Sequence, residues 1–300
     1  MPVFAAAQSQ SSSSSGEDLT QPLPDESEQI PDLYSFTVPV HGINAGLSVL
    51  GVHDSAIGWA TIATPFVSYS FNPKFSADVT LPVYMYRLAE NISPHPSPED
   101  HLVALRGKPA DMIFGLHAQF FPALARYEVT ASITAPTGDQ EYGLSTGQVT
   151  FDINNHFERT FSRFTPKLEL GMGDSSTLVN RTVAKHYTSL GPLAHFQAGF
   201  IVDLVHGTSF ESDAYEQLPL GDQKIYGYSR RRRATVIKGR NVSEDNGFIN
   251  SLDIPLNRHV TLFVYYSHSL RLRTDTAAIG INLILRGPTQ IDDFLFDDLF

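Results

Sequence analysis

The chain has no cysteine among its 300 residues and only one tryptophan. The first absence excludes a disulfide framework and any cysteine-based metal site. Positive charge is also scarce: 21 Lys and Arg stand against 32 Asp and Glu, a net charge of −11. Phosphate contacts need clustered Lys and Arg, so no nucleic-acid partner is expected. No stretch approaches the ~18 apolar residues that a transmembrane helix requires. A helical membrane protein is excluded on that ground. Apolar residues still make up 42% of the chain, which is ordinary for a folded domain.

What is present is a strand period. Phe75, Ala77, Val79, Leu81 and Val83 alternate with Ser76, Asp78, Thr80 and Tyr84. Tyr127, Val129, Ala131, Ile133 and Ala135 alternate with Glu128, Thr130, Ser132 and Thr134. Near the end, Ala277, Ile279, Ile281, Leu283 and Leu285 alternate with Ala278, Gly280, Asn282, Ile284 and Arg286. The same rule recurs in further segments, and a period of two is the signature of a strand with two unlike faces. A soluble sandwich alternates as well, so alternation alone does not say which face is inside.

Three features aim the apolar face at lipid. Connections at 72–74, 122–125, 158–163, 206–209 and 257–259 are short, whereas 89–108, 136–147, 173–192 and 218–246 are mostly much longer. Short periplasmic turns alternating with long outer loops is the arrangement of an outer-membrane barrel. Aromatic residues bracket the short turns: Tyr69, Phe71 and Phe75, then Phe120 and Tyr127, then Phe157 and Phe164. Such a band reads as a periplasmic interfacial girdle. The opposite face carries charge, with Asp78, Asp111, His117, Glu128, Asp152, Lys167, Glu169, Asp203, Arg271 and Arg273 as the residues expected to line the lumen. A net acidic lumen favours cations or neutral solutes over anions.

Eleven strand segments fall between residues 57 and 286, and the first of them runs toward a short turn. An earlier strand must bring the chain up, with residues 45–53 the choice and 33–40 the alternative. The expected fold is therefore all-β: one closed antiparallel transmembrane barrel of about twelve strands over residues 31–287. Val3, Phe4, Ala5, Ala6, Ala7 and Gln8 resemble the end of a secretory signal peptide. With the serine run 11–15 and the acidic, Pro-containing stretch behind it, residues 1–30 are expected to be a signal remnant and disordered linker. Residues 288–300 are expected to be a tail.

The run Ile133-Thr134-Ala135-Pro136-Thr137-Gly138-Asp139, followed by Leu144 and Thr146-Gly147-Gln148, resembles outer-membrane barrels described as meta-pathway phenol-degradation transporters. That family is related in fold to the fatty-acid-transporter barrels. The strand Ala278-Ile279-Gly280-Ile281-Asn282-Leu283 resembles its closing strand. The resemblance spans roughly residues 45–287 and implies a barrel of about twelve strands passing small hydrophobic or aromatic compounds. It supplies no known ligand residue. Fatty-acid transporters also carry an N-terminal hatch, for which only residues 16–44 are available here.

The expected location is the bacterial outer membrane. Expected partners are its lipid and lipopolysaccharide, the barrel-assembly machinery and small-molecule solutes. No cofactor and no metal are expected, and lone histidines such as His117 and His156 are ordinary polar-face residues. Arg230, Arg231, Arg232 and Arg233 fall in a long loop, where lipopolysaccharide phosphates or solvent would meet them. One outer-membrane hydrolase places His and Ser two apart on a strand, and His53-Asp54-Ser55 has that spacing without an evident Asn. No enzyme is expected. The competing readings are a structural or adhesive barrel that presents its loops without transport, and a secreted soluble β-protein.

Overall fold

The computed structural model describes residues 42–55, 58–90, 102–120, 125–138, 144–145, 147–175, 189–228, 234–239, 244–257, 259–271 and 273–286. The expected signal remnant and linker, the alternative first strand at 33–40, the Arg230–Arg233 run and the tail lie outside them, as do residues 31–41 and 287 of the expected barrel. The first strand is the one expected, slightly longer: β1 (Gly42–Asp54).

β1 pairs with β2 (Gly58–Asn72) on one side and with the last strand, β17 (Thr274–Arg286), on the other. β3 (Phe75–Thr80) and β4 (Val83–Glu90) are two halves of one stave, both paired to β2 and interrupted at Leu81 and Pro82. β5 (Leu102–Leu105) and β6 (Lys108–Pro109) pair with β4, and β7 (Met112–Phe120) continues the same stave along β3. β8 (Arg126–Ala135), β9 (Thr150–Glu158), β10 (Phe164–Ser175), β11 (Ser189–Asp203) and β12 (Ser209–Pro219) follow in order. β12 pairs directly with β15 (Asp245–Asn257), and β16 (Val260–Ser269) joins β15 to β17. The hairpin of β13 (Gln223–Tyr228) and β14 (Ala234–Gly239) extends from the long-loop end of β11. Setting that hairpin aside, the segments make twelve staves in a ring, each antiparallel to both neighbours. The barrel is closed.

Two stretches expected to be loops contain strand. Residues 102–109 extend the β7 stave, and 223–239 hold the β13–β14 hairpin. Pairing above a membrane satisfies the backbone without burying one face, so it leaves no period-two pattern to read. The outer connections after β1 and after β16 are both short, so the length rule has two exceptions.

Burial runs opposite to that of a water-soluble domain. Among the described residues, thirty-four large hydrophobic ones are exposed against sixteen buried apolar ones, and the exposed set recurs at every second position. Leu116 is 59 % exposed, Ile279 57 % and Val67 52 %. A continuous apolar surface of this kind has no stable home in water. The inward positions beside them are mostly Ser, Thr, Asp and Glu, and twenty-eight polar or charged residues are buried among the described residues.

Rings mark the edges of the apolar band. At the short-turn end Phe75 meets Phe120 at 6.5 Å, Phe120 stacks on Tyr127 at 5.9 Å, and Tyr127 stacks on Phe157 at 4.6 Å. Tyr69 packs on Phe71 at 5.1 Å and Phe164 on Phe200 at 5.4 Å. The expected girdle residues thus meet at one level, across strands except for Tyr69 and Phe71, which neighbour each other on β2. A second set, not anticipated, rims the other end: Trp59 on His53 at 4.8 Å, and Phe248 against Tyr266 and His268 at 6.1 and 5.4 Å. From Trp59 to Tyr69 along β2 is ten steps; at about 3.3 Å each and a ~40° tilt this spans about 25 Å, the height of a barrel's apolar band.

This geometry fixes the outcome of charge placement. Leu116→Arg, at the outward middle of β7, is expected to lower folding stability in lipid vesicles by about 2–4 kcal/mol, while Trp59→Arg at the rim costs about 0–1 kcal/mol. Urea titration of the two variants checks it.

Candidate functional site in the barrel interior

The inward face is layered. Toward the short-turn end, charged side chains from neighbouring staves meet in a belt. Asp78 on β3 accepts from His117 Nε2 at 2.6 Å, and His117 Nδ1 lies 3.3 Å from Glu128 on β8. Arg126 bridges Glu128 and Glu158, at 3.5 and 3.1 Å. His156 lies between Glu158 and Glu169, at 3.0 and 2.9 Å. Lys167 on β10 reaches Glu211 and, at 3.1 Å, Asp213 on β12. Gln197 donates to Asp213 at 3.1 Å, and His195 pairs with Asp152 at 3.0 Å. Acid and base alternate from β3 to β12.

Strand register explains why these groups meet. Thr130 stands between His117 on β7 and Asn154 on β9, and His156 stands directly opposite both Glu128 and Glu169. Lys167 faces Gly199, which faces Asp213. A Cβ at Gly199 would come within 2.1 Å of the Ser212 carbonyl oxygen and 2.0 Å of Asp213 Oδ1. Glycine there is what lets the lysine cross β11. His156 has both ring nitrogens against carboxylate oxygens, which only the doubly protonated ring satisfies by donating twice, whereas His117 Nδ1 lies nearest the Thr130 hydroxyl, at 3.1 Å.

Of the residues expected to line the lumen, Asp78, Asp111, His117, Glu128, Asp152, Lys167 and Glu169 all point inward, and all but Asp111 belong to the belt or its Asp152–His195 branch. Asp111 lies higher and accepts from the Gly138 amide at 2.9 Å. Asp203 is half-buried at the short-turn end of β11, opposite Ser209. Arg271 and Arg273 lie elsewhere: both are exposed in the turn after β16, where Arg271 pairs with Glu244 at 2.7 Å. The strand ends at Ser269, before either arginine. Arg126, Glu158, His195, Glu211 and Asp213 were not anticipated as belt members.

Toward the long-loop end the interior is apolar. Leu50, Val52, Ile62, Tyr84, Leu105 and Ile113 are buried together, and Leu144, from the connection between β8 and β9, is tucked in with them. Thr134, opposite Ile113, has no accessible surface. Residual access follows the belt, where the Glu128, His156 and His195 side chains are each 14 % exposed.

The hydrolase spacing at His53-Asp54-Ser55 does not assemble a dyad. His53 packs on Trp59, Asp54 accepts from Thr276 Oγ1 at 2.6 Å, and Ser55 Oγ accepts the Asp275 amide at 2.8 Å.

No family model and no curated protein matches this sequence. The resemblance read from residues 133–148 therefore stands at the level of the barrel. Among solved structures the chain is similar to the COG4313 outer membrane channel from Pseudomonas putida F1, at 11% identity and a TM-score of 0.54, over 86% of this chain and 100% of that one. Its fold is that of an outer-membrane β-barrel. Looser likenesses are the KdgM porin, 6% identical over 79% of this chain and 98% of that one at a TM-score of 0.45, and outer membrane phospholipase A from Escherichia coli, 8% identical over 83% and 98% at 0.41.

The belt makes a definite demand on its members. Removing one partner leaves buried charge uncompensated, which costs about 3–5 kcal/mol, more than an exposed pair contributes. His156→Ala is expected to lose about that much because it strips Glu158 and Glu169 together, whereas Arg271→Ala on the exposed turn should change little. Equilibrium unfolding of both variants in lipid vesicles measures the difference.

Proposed function

We propose that the barrel is a narrow outer-membrane channel for small solutes with an apolar or aromatic body. The observation that carries this reading is the layering of the interior. An apolar cluster occupies the long-loop half, and a charge-paired belt with residual access lies beneath it along β8 to β11. A solute leaving water at the outer end meets apolar side chains first and polar ones second. The resemblance to phenol-degradation transporters points to the same class of solute. Lipopolysaccharide at the outer rim is the proposed lipid partner there.

The belt refines the selectivity expected from sequence. Among the described residues ten carboxylates are buried against Arg87 and Lys167, but six of them lie in the belt or its branch beside His, Arg or Lys. Pairing weakens the field acting on a passing ion, so neutral solutes are favoured most, then cations, then anions.

Planar-bilayer recording with the refolded barrel tests the reading. Small single-channel steps with cation preference are expected, and saturating benzyl alcohol should reduce the current. A sealed bilayer, together with no uptake of a neutral aromatic into liposomes, would leave the structural reading, in which the β13–β14 hairpin and its neighbours are simply displayed outside the cell.

A further inference from the structure

Arg87 is the largest of the fully buried side chains, at 1 % exposure. It is inside only because β4 breaks step. Thr61 opposes Tyr86 and Ile62 opposes Tyr84, which leaves Met85 without a partner on β2. Met85 is 51 % exposed on the outer face, while Tyr84 and Arg87 both turn inward. Under strict alternation Arg87 would share the lipid-facing side of Val83 and Met85. Bulges of this kind re-aim a side chain and are common beside functional sites.

The guanidinium hydrogen-bonds the Tyr84 side chain and otherwise faces an apolar wall. Its carbon lies 5.3 Å from the centre of the Tyr84 ring, and Ala60 and Leu105 stand directly opposite on the two neighbouring strands. Tyr84 and Leu105 belong to the apolar cluster. Nε and Nη1 of Arg87 are both buried, and neither has a hydrogen-bond partner. No described carboxylate forms an ion pair with it. Guanidinium does not shed its proton in a protein, so the charge persists in a place that otherwise disfavours it. Every belt cation, by contrast, has an acid beside it.

We propose that Arg87 anchors a binding site for a small monoanionic carboxylate with an aromatic or short alkyl body, entered from the long-loop end. One guanidinium balances one negative charge, and its planar donors match the two oxygens of a carboxylate. The apolar body lies against Tyr84, Leu105 and Ile62. A phosphate dianion would leave charge unbalanced against the same wall. Asp78 is near the short-turn end of the same stave and Arg87 near its long-loop end, so the acidic belt lies beneath the bound carboxylate and opposes its further passage. The site deepens the channel reading on which it rests, as a point where an amphipathic solute is held above the belt.

Isothermal titration calorimetry on the full-length refolded barrel in detergent, at neutral pH, tests it with benzoate, benzyl alcohol and inorganic phosphate. Saturable one-to-one binding of benzoate is expected, with benzyl alcohol weaker by about tenfold or more, the effect of losing a charged hydrogen bond, and no phosphate heat. Arg87→Met should weaken benzoate by a similar factor. Leu105→Glu places a carboxylate opposite Arg87, and should abolish benzoate binding and raise the thermal midpoint. Absent benzoate binding, phosphate binding as strong as benzoate, or benzoate binding unchanged in Arg87→Met overturns the site. Should Arg87→Met fail to fold, Leu105→Glu decides alone, and unchanged binding there is equally fatal. A barrel that binds benzoate but passes no current would sink the channel and keep the site; conduction without benzoate heat would do the reverse.

Discussion

The hydrocarbon core of a bilayer offers no water to an unpaired amide, and each orphaned backbone group there costs several kcal/mol. Everything else in this molecule follows from meeting that constraint by closure. β1 pairs with β2 along one edge and with β17 along the other, so the ring has no free edge. Once the backbone is satisfied, each side chain faces either lipid or the interior, and the two sets of positions are free to diverge in chemistry. The outward set is apolar and rimmed by rings at both ends. The inward set is polar enough that burial would be costly unless the groups found one another.

They do so by register. Antiparallel pairing sets inward residues of adjacent staves side by side, and the sequence places acid opposite base along β8, β9 and β10. Small residues make room where a long side chain must cross a strand, as Gly199 does for Lys167 and Asp213. Gly115 has the same relation to Asp78 and His117, with Asp78 Oδ1 only 2.1 Å from where a Cβ would sit. The interior is thus held together by pairings that hydrophobic burial supplies in a soluble protein.

The strands, their number and the lipid-facing side were legible because lipid enforces alternation on nearly every stave. The belt was only partly legible. Asp78, Glu128 and Glu169 show themselves as charges on the polar face, but which base each meets depends on register, and register is a property of pairs of strands. Glu158 falls in the short connection 158–163, where it reads as a turn residue, and Arg126 stands at the first position of its strand, outside the stretch where alternation is read. Arg271 and Arg273 erred the other way, because a strand pattern continued into a turn with Arg273 at positive φ. The β13–β14 hairpin has no lipid to enforce a period. Arg87 was hidden by the rule that revealed everything else, since one bulged residue reverses the facing of all that follow it.

The central claim is that the wall separates a lipid face from an inward face, residue by residue, including the reversal at Met85. Because the chain has no cysteine, a single introduced thiol can be spin-labelled without a background, at Val83, Tyr84, Met85, Tyr86 and Arg87 in turn. Collision with oxygen, which concentrates in the bilayer, is then measured in reconstituted vesicles. High accessibility at 83, 85 and 86 with low accessibility at 84 and 87 is the predicted profile. Unbroken alternation, with position 87 as accessible as 85, would contradict it.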